Sequence, residues 1–172
     1  ELARILDRAQ PNSTRVIIVS KSFTTLETTM NAKAVVAWLK ASGCTKGQIN
    51  KALFAVTANV PAAPEFGVEE DHIFPFWDWV GGRYSVWSAV GLPIALQYGY
   101  KTFEEFLAGA HAMDLHFKNA PLEDNLPVIM ALALLHQQQE HGIKAYAAIP
   151  YADALDWFPK WLQQLDMESN GK

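Results

Sequence analysis

The sequence predicts an α/β domain with a mostly parallel sheet flanked by helices. Val16–Val19 is an uninterrupted β-branched run without polar alternation, which is typical of a strand buried on both faces of a parallel sheet. A second run, Leu53–Thr57, follows after a helical stretch, and this spacing suits a βαβ unit. Strands separated by helical stretches indicate the α/β class.

Composition and charge narrow the function classes. The chain has 172 residues, of which 50% are hydrophobic and 19% charged, so it has the length of about one domain and can bury a core. The net charge of −4 argues against a general nucleic-acid or anionic-membrane surface. A single cysteine, Cys44, excludes an internal disulfide and a cysteine-cluster metal site. We therefore expect one soluble, cytoplasmic domain over residues 1–172, without membrane or nucleic-acid partners.

The first half of the chain predicts two helices around the first strand. Leu2, Ile5 and Leu6 share a helical face before Pro11 ends the pattern. After Val16–Val19, Thr24 with Glu27 matches a capping box, and Gly43 is the predicted helix end. The apolar stripe of this helix is predicted to contain Met30, Ala34, Val35, Trp38 and Leu39.

The second half predicts further helices and two short strands. The segment 73–80 is expected to be an edge strand or a packed loop because it contains Pro75. Three helices are predicted next: one from Gly81 through Ala95, one near 103–117 capped by Thr102 and Glu105, and one from Asn125 to about His136 that Gly142 ends. The last two predicted elements are a strand at Lys144–Ile149 and a helix at Ala152–Glu168 with a kink at Pro159.

The polar run Ser20–Thr25 is the strongest local sign of a binding site. It lies between a predicted strand and a predicted helix, whose N-terminus offers unpaired N–H groups and a partial positive charge. Its four hydroxyls and the Lys21 ammonium would suit a phosphate without a glycine-rich loop. The alternative is that the hydroxyls only cap the helix, although capping accounts for one or two of them.

Two other segments carry residues suited to catalysis. In Gly81-Gly82-Arg83, the two glycines would let a ligand approach the backbone closely, beside the arginine guanidinium. The alternative is an ordinary turn with a surface arginine. Gln164 and Glu168 are four residues apart and share a helical face, so the amide can orient a carboxylate base. The alternative for this pair is a solvated polar helix end.

The histidines do not predict a metal site. His111 and His116, with Asp114 between them, are the best candidates, but they lie about 140° apart on a helix. His136 and His141 have the same spacing. We expect these side chains to be core or surface histidines.

Taken together, three motifs resemble the glucose-6-phosphate isomerase (phosphoglucose isomerase) family. They are the segments 19–28, 77–85 and 163–172, with 109–114 and 125–128 also similar. The resemblance covers essentially the whole chain in the right order. It implies a sugar-isomerase (SIS-type) fold and the interconversion of glucose 6-phosphate and fructose 6-phosphate in glycolysis and gluconeogenesis, with no cofactor and no metal.

The resemblance also implies roles for individual residues. The family's phosphate-binding run corresponds to Ser20, Lys21, Ser22 and Thr25. Its enediolate-stabilising arginine corresponds to Arg83 beside Gly82, its substrate-site glutamine to Gln164, and its catalytic base to Glu168. Many members carry Thr where this chain has Ser22, and the hydroxyl is kept.

Other parts of the family's site lie outside this sequence. The family uses an upstream glycine-rich loop with a phosphate-binding serine, a downstream histidine and lysine, and a dimer that completes the sites. We therefore expect a domain truncated at both ends, with little or no isomerase activity alone. The rival interpretations are a non-catalytic sugar-phosphate-binding SIS module and a structural or interaction domain without phosphate affinity.

Overall fold

The computed structural model describes residues 1–171, which form two compact units. The first unit comprises residues 1–94 and the second begins at residue 95. The expectation of a single domain over residues 1–172 stays a prediction.

A parallel three-stranded sheet forms the centre of the first unit. Its strands β1 (Val16–Val19), β2 (Leu53–Thr57) and β3 (Ile73–Pro75) lie in the order β1-β2-β3. The middle strand is the most buried, with Val56 and Thr57 fully excluded from solvent. Pro75 ends an edge strand, where its missing N–H costs no ladder hydrogen bond. The α/β class and the parallel sheet are thereby confirmed.

Four helices accompany this sheet: α1 (Leu2–Leu6), α2 (Leu26–Ala41), α3 (Lys46–Ala52) and α4 (Ala62–Phe66). The core cluster joins Val35 and Leu39 of α2 to Ile18 of β1. The predicted apolar stripe is only partly right, because Met30 is 61% exposed and Ala34 faces solvent, while Ala32 is buried instead. The buried face therefore follows the spacing 32, 35, 39.

Both predicted capping boxes are wrong. Thr25, not Thr24, is the N-terminal cap of α2. The helix α6 (Tyr100–Asn119) begins after Gly99, which puts Thr102 inside its first turn. A capping box does occur at Thr45, whose hydroxyl and backbone N–H pair with Gln48 at the start of α3.

The segment from Gly81 to Ala95 is not one helix. It contains two 3-10 helices, Gly82–Trp87 and Ala89–Gly91, before α5 (Leu92–Tyr98) begins. The Ser88 hydroxyl divides them by accepting a hydrogen bond from the Val90 N–H. A side chain that bonds to nearby backbone in this way competes with a continuous helix.

The second unit is built from α6, α7 (Leu126–His141) and α8 (Phe158–Asn170). Asn125 caps α7 as predicted, since its Oδ1 accepts from the Val128 N–H at 3.3 Å. Its Nδ2 donates to the Phe117 carbonyl of α6 at 2.8 Å. Gly142 ends α7 with a φ of 64°, a conformation that favours glycine.

The residues between α7 and α8 differ from the prediction. The strand expected at Lys144–Ile149 is absent, because among residues 1–171 nothing pairs with this segment in a ladder. Pro159 lies in the first turn of α8, where its missing N–H needs no partner, so it causes no kink. A 3-10 helix, Asp153–Leu155, precedes it.

No helix in the described part of the chain is long and apolar enough to cross a membrane.

Candidate active site

The loop after β1 folds into a tight turn around the Ser20 hydroxyl. The Ser20 N–H donates to the Val56 carbonyl at 3.1 Å, which extends the ladder between β1 and β2. Its buried Oγ accepts from the Phe23 N–H at 3.1 Å. Phe23 has a φ of 60°, the only positive φ at a non-glycine residue among those described, and its ring packs edge-on against Phe66. Such a conformation persists only where the surroundings hold it.

The other hydroxyls of the loop do not cap α2. The Oγ of Ser22 and the Oγ1 of Thr24 lie 2.6 Å apart, and the Thr24 N–H donates to the Ser22 Oγ at 3.2 Å. Thr25 occupies the cap position without a side-chain capping hydrogen bond. Helix capping therefore does not account for this set of hydroxyls, which lie exposed at the N-terminus of a 16-residue helix.

Lys21 connects this loop to the turn that carries Arg83. Its Nζ donates to the Val80 carbonyl at 3.2 Å. Val80 is buried against Val56 and Phe76, and the Phe76 N–H donates to the Thr57 carbonyl at 3.1 Å. Two predicted site segments are thus brought together at the carboxyl ends of the strands, the edge at which open parallel sheets bind ligands.

The turn itself leaves space above its backbone. A Cβ added to Gly82 would meet no heavy atom within 4 Å, so the surface there is open to a ligand. Arg83 is half-buried, with its guanidinium carbon 5.6 Å from the centre of the Tyr84 ring. Within the 3-10 helix Gly82–Trp87, the Ser85 hydroxyl donates to the Gly82 carbonyl at 2.6 Å.

Gln164 and Glu168 form the second group, on α8 in the second unit. The Gln164 Nε2 donates to the Glu168 Oε2 at 2.8 Å, which confirms that they share a face. The eight predicted site residues therefore fall into two groups, one in each unit.

A groove of about 630 Å³ lies in the second unit between the segment 144–148 and α8. It contains Tyr146, whose pKa is raised above its ordinary value of about 10 by a hydrogen bond to the Asp166 carboxylate. None of the eight predicted residues lines it, so the chemistry predicted from the sequence gives this groove no role.

One group within residues 1–171 has ligand atoms close enough for a metal ion: Glu69, Asp71 and His72. The His72 Nδ1 lies 3.0 Å from the Leu53 carbonyl, and its ring stacks on Phe54. The histidine pairs weighed in the sequence do not join it. The Nε2 of His116 instead accepts from the Leu126 N–H at 3.1 Å.

Sequence reasoning missed the residues that hold the loop from the neighbouring strand. The hydroxyl of Thr57 and the amide of Asn59 both donate to carbonyls of the Ser20–Thr25 loop. A usable signal was present, because both polar residues come at the carboxyl end of the predicted strand Leu53–Thr57.

Comparison with known proteins identifies relatives along the whole chain. The family model for phosphoglucose isomerase matches residues 1–172. Glucose-6-phosphate isomerase from Burkholderia pseudomallei (strain 1106a) is 50% identical over 172 residues, which are 100% of this chain and 32% of that protein. The protein of the same name from Burkholderia multivorans is 48% identical over the same shares. The chain therefore spans about a third of the length of these relatives.

A solved structure shares the fold. The hypothetical protein TT0462 from Thermus thermophilus superposes with a TM-score of 0.77 at 29% sequence identity. The match covers 98% of this chain and 39% of that one.

Proposed function

The chain belongs to the phosphoglucose isomerase family, and from this we infer that the full-length protein interconverts glucose 6-phosphate and fructose 6-phosphate. Ser20, Lys21, Ser22 and Thr25 bind the phosphate in this proposal. The observation that best supports this proposal is the hydrogen bond from Lys21 Nζ to the Val80 carbonyl, because this bond joins the phosphate loop to the turn that bears Arg83.

The reaction needs a base that takes a proton from C2 of the open-chain sugar and returns it to C1. Glu168 is the proposed base, and Gln164 orients the carboxylate through their 2.8 Å hydrogen bond. The hydroxyl proton passes from O2 to O1 as the aldehyde becomes a ketone, so no atom is gained or lost. A positioned general base typically contributes about 10²–10⁴-fold to the rate.

Negative charge develops on the sugar oxygens in the cis-enediol intermediate. Arg83 is the proposed partner of that charge, since a preorganised guanidinium stabilises it without reorganisation during the reaction. The phosphate is remote from the reacting carbons, and its binding energy helps to hold the sugar on the enzyme. The open surface at Gly82 leaves room for the sugar beside the arginine.

Turnover by the full-length protein tests this function. Glu168→Gln keeps the size of the side chain and removes the base, so we expect at least about a 10²-fold loss of kcat. Glu105→Gln, the same change at an exposed position of α6, is the matched control and is expected to keep full activity. Equal activities of the two variants would contradict the assignment.

A non-catalytic sugar-phosphate-binding module is the second candidate, since the hydroxyls and Lys21 would serve a sensor equally well. Glu168 and Arg83 argue against it, because a sensor needs neither a base nor a partner for an enediolate. This alternative predicts fructose 6-phosphate binding by calorimetry with no turnover. A structural domain would show neither.

The remaining assignments concern the whole protein. We propose that it acts in the cytoplasm as a homodimer, without cofactor, metal, nucleic-acid or membrane partners. The single cysteine, Cys44, is a free thiol, which fits a reducing compartment. We also propose that the 172-residue chain alone has little or no activity, because it spans about a third of its relatives.

A further inference from the structure

The hydroxyl of Thr57 is a polar group in β2, the most buried of the three described strands. Thr57 ends β2 and is 0% exposed, yet its Oγ1 does not bond within its own strand. It donates to the Lys21 carbonyl at 3.2 Å and accepts from the Asn59 N–H at 3.0 Å. Burying a hydroxyl is unfavourable unless it is hydrogen-bonded, and these two partners satisfy it.

The carbonyl of Lys21 is the centre of this arrangement. Besides the Thr57 hydroxyl, it accepts from the backbone N–H groups of Ala58 and Asn59, both at 3.1 Å. The Asn59 side chain adds a fourth bond by donating from Nδ2 to the Ser22 carbonyl at 2.9 Å. Two consecutive peptide groups of the loop are thus fixed from the end of β2.

Fixing these two carbonyls also sets where the neighbouring donors point. The peptide that follows Lys21 carries the N–H of Ser22, and the peptide that follows Ser22 carries the N–H of Phe23. The Phe23 N–H is held by Ser20 Oγ, in the turn where Phe23 adopts its positive φ. A loop preorganised in this way binds an anion without first ordering its backbone, which lowers the cost of binding.

We propose that Thr57 and Asn59 are positioning residues for the phosphate-binding loop, and that they set the affinity for the phosphate group of the substrate. They act through the Lys21 and Ser22 carbonyls and do not touch the substrate. This inference rests on the proposed function, because it takes Ser20–Thr25 to be the phosphate site.

The test uses the full-length protein with Thr57→Val, Thr57→Ser and Asn59→Ala. Valine keeps the shape of threonine and removes only the hydroxyl, while serine keeps the hydroxyl and serves as the conservative rescue. Thr45→Val is the matched control, because it removes a hydroxyl from the capping box of α3, before the opposite end of β2. Each variant is assayed for kcat and KM with fructose 6-phosphate, for inhibition by inorganic phosphate, and for Tm.

A loop that has lost one hydrogen bond must be ordered when the anion binds. The energy of that bond is then lost from phosphate binding, which weakens it by about tenfold. We expect Thr57→Val and Asn59→Ala to raise KM and the inhibition constant of phosphate by about that factor, with kcat changed less than threefold. This pattern is that of lost uniform binding. Thr57→Ser should restore both constants, and Thr45→Val should lower Tm alone.

Two results would overturn the proposal. One is that both constants stay within twofold of wild type in Thr57→Val and Asn59→Ala; another is that kcat falls while KM is unchanged. If Thr57→Val does not fold, Asn59→Ala decides, because its side chain is exposed. If the wild type has no isomerase activity, the proposed function is wrong. The positioning role is then tested by calorimetry, in which Thr57→Val and Asn59→Ala should raise the Kd for inorganic phosphate about tenfold over the wild type.

Discussion

Phe23 shows how a single residue shapes the phosphate loop. Its φ of 60° lies in the left-handed region, which costs an L-residue roughly 1–2 kcal/mol relative to the right-handed conformation. Two features hold it there: the hydrogen bond from its N–H to Ser20 Oγ and the edge-on contact of its ring with Phe66. The strain is retained at the site where we propose that the substrate binds.

This conformation predicts an unusual order of stabilities. Phe23→Ala removes the ring and keeps a Cβ in the left-handed region, whereas Phe23→Gly removes both. We expect the glycine variant to be more stable than the alanine variant by about 1 kcal/mol, the reverse of the usual order in regular structure. Urea unfolding of both variants measures the difference. If the alanine variant is the more stable, Phe23 is not strained as described.

The sequence identified the loop residues but not what holds them. The hydroxyl-rich run between a strand and a helix is local, so Ser20–Thr25 could be predicted from its own residues. The hydrogen bonds of Thr57 to Lys21 and of Asn59 to Ser22 join residues 36 and 37 positions apart. Such pairings depend on which strands become neighbours, and the local sequence shows only that two polar residues come at the carboxyl end of the predicted strand Leu53–Thr57.

At the scale of elements, predictions succeeded where the signal was contained in the element. The runs Val16–Val19 and Leu53–Thr57 are strands with the predicted bounds. Burial on both faces holds for β2 only. Among the described residues β1 is an edge strand, in which Ile18 is buried and Val19 is exposed, so that part of the prediction is wrong for Val16–Val19. The start of α2 was misplaced by one residue, because Thr24 pairs with Ser22 instead of capping the helix. The strand expected at Lys144–Ile149 failed for another reason: a strand needs a partner, and this segment has none among the described residues.

Asn125 offers the sharpest test at this scale. Its Oδ1 caps α7 and its Nδ2 bonds to the last turn of α6, so one buried side chain stabilises two helix ends. Asn125→Ala removes both bonds and is expected to lower the free energy of unfolding by about 2 kcal/mol. Asn125→Ser keeps an acceptor for the cap and loses the bond to Phe117 without burying a charge, so we expect a smaller loss. Equal losses in chemical denaturation would show that capping contributes nothing at this helix end.

At the scale of the whole molecule, the most informative feature is the apolar surface of α7. Its exposed side chains include Leu126, Ile129, Met130, Leu132, Leu134 and Leu135. A helix that is apolar on all sides is typical of a buried position, and large exposed apolar patches mark association sites. In the 172-residue chain by itself these side chains meet water.

We therefore expect the isolated chain to self-associate and to lack turnover. Sedimentation velocity should show a weight-average mass above 19.1 kDa that rises with concentration. A coupled assay with fructose 6-phosphate should give no rate above background, while the full-length protein is active. A monodisperse monomer with the specific activity of the full-length protein would contradict this expectation.

The most direct measurement of the central claim is the exchange of the C2 hydrogen of glucose 6-phosphate with solvent, followed by NMR in deuterium oxide. If Glu168 carries the proton between C2 and C1, the full-length protein incorporates deuterium at C2 and the Glu168→Gln variant does so at least about 10²-fold more slowly. Incorporation at an unchanged rate in the variant would show that another group is the base, and the proposed role of Glu168 would be wrong.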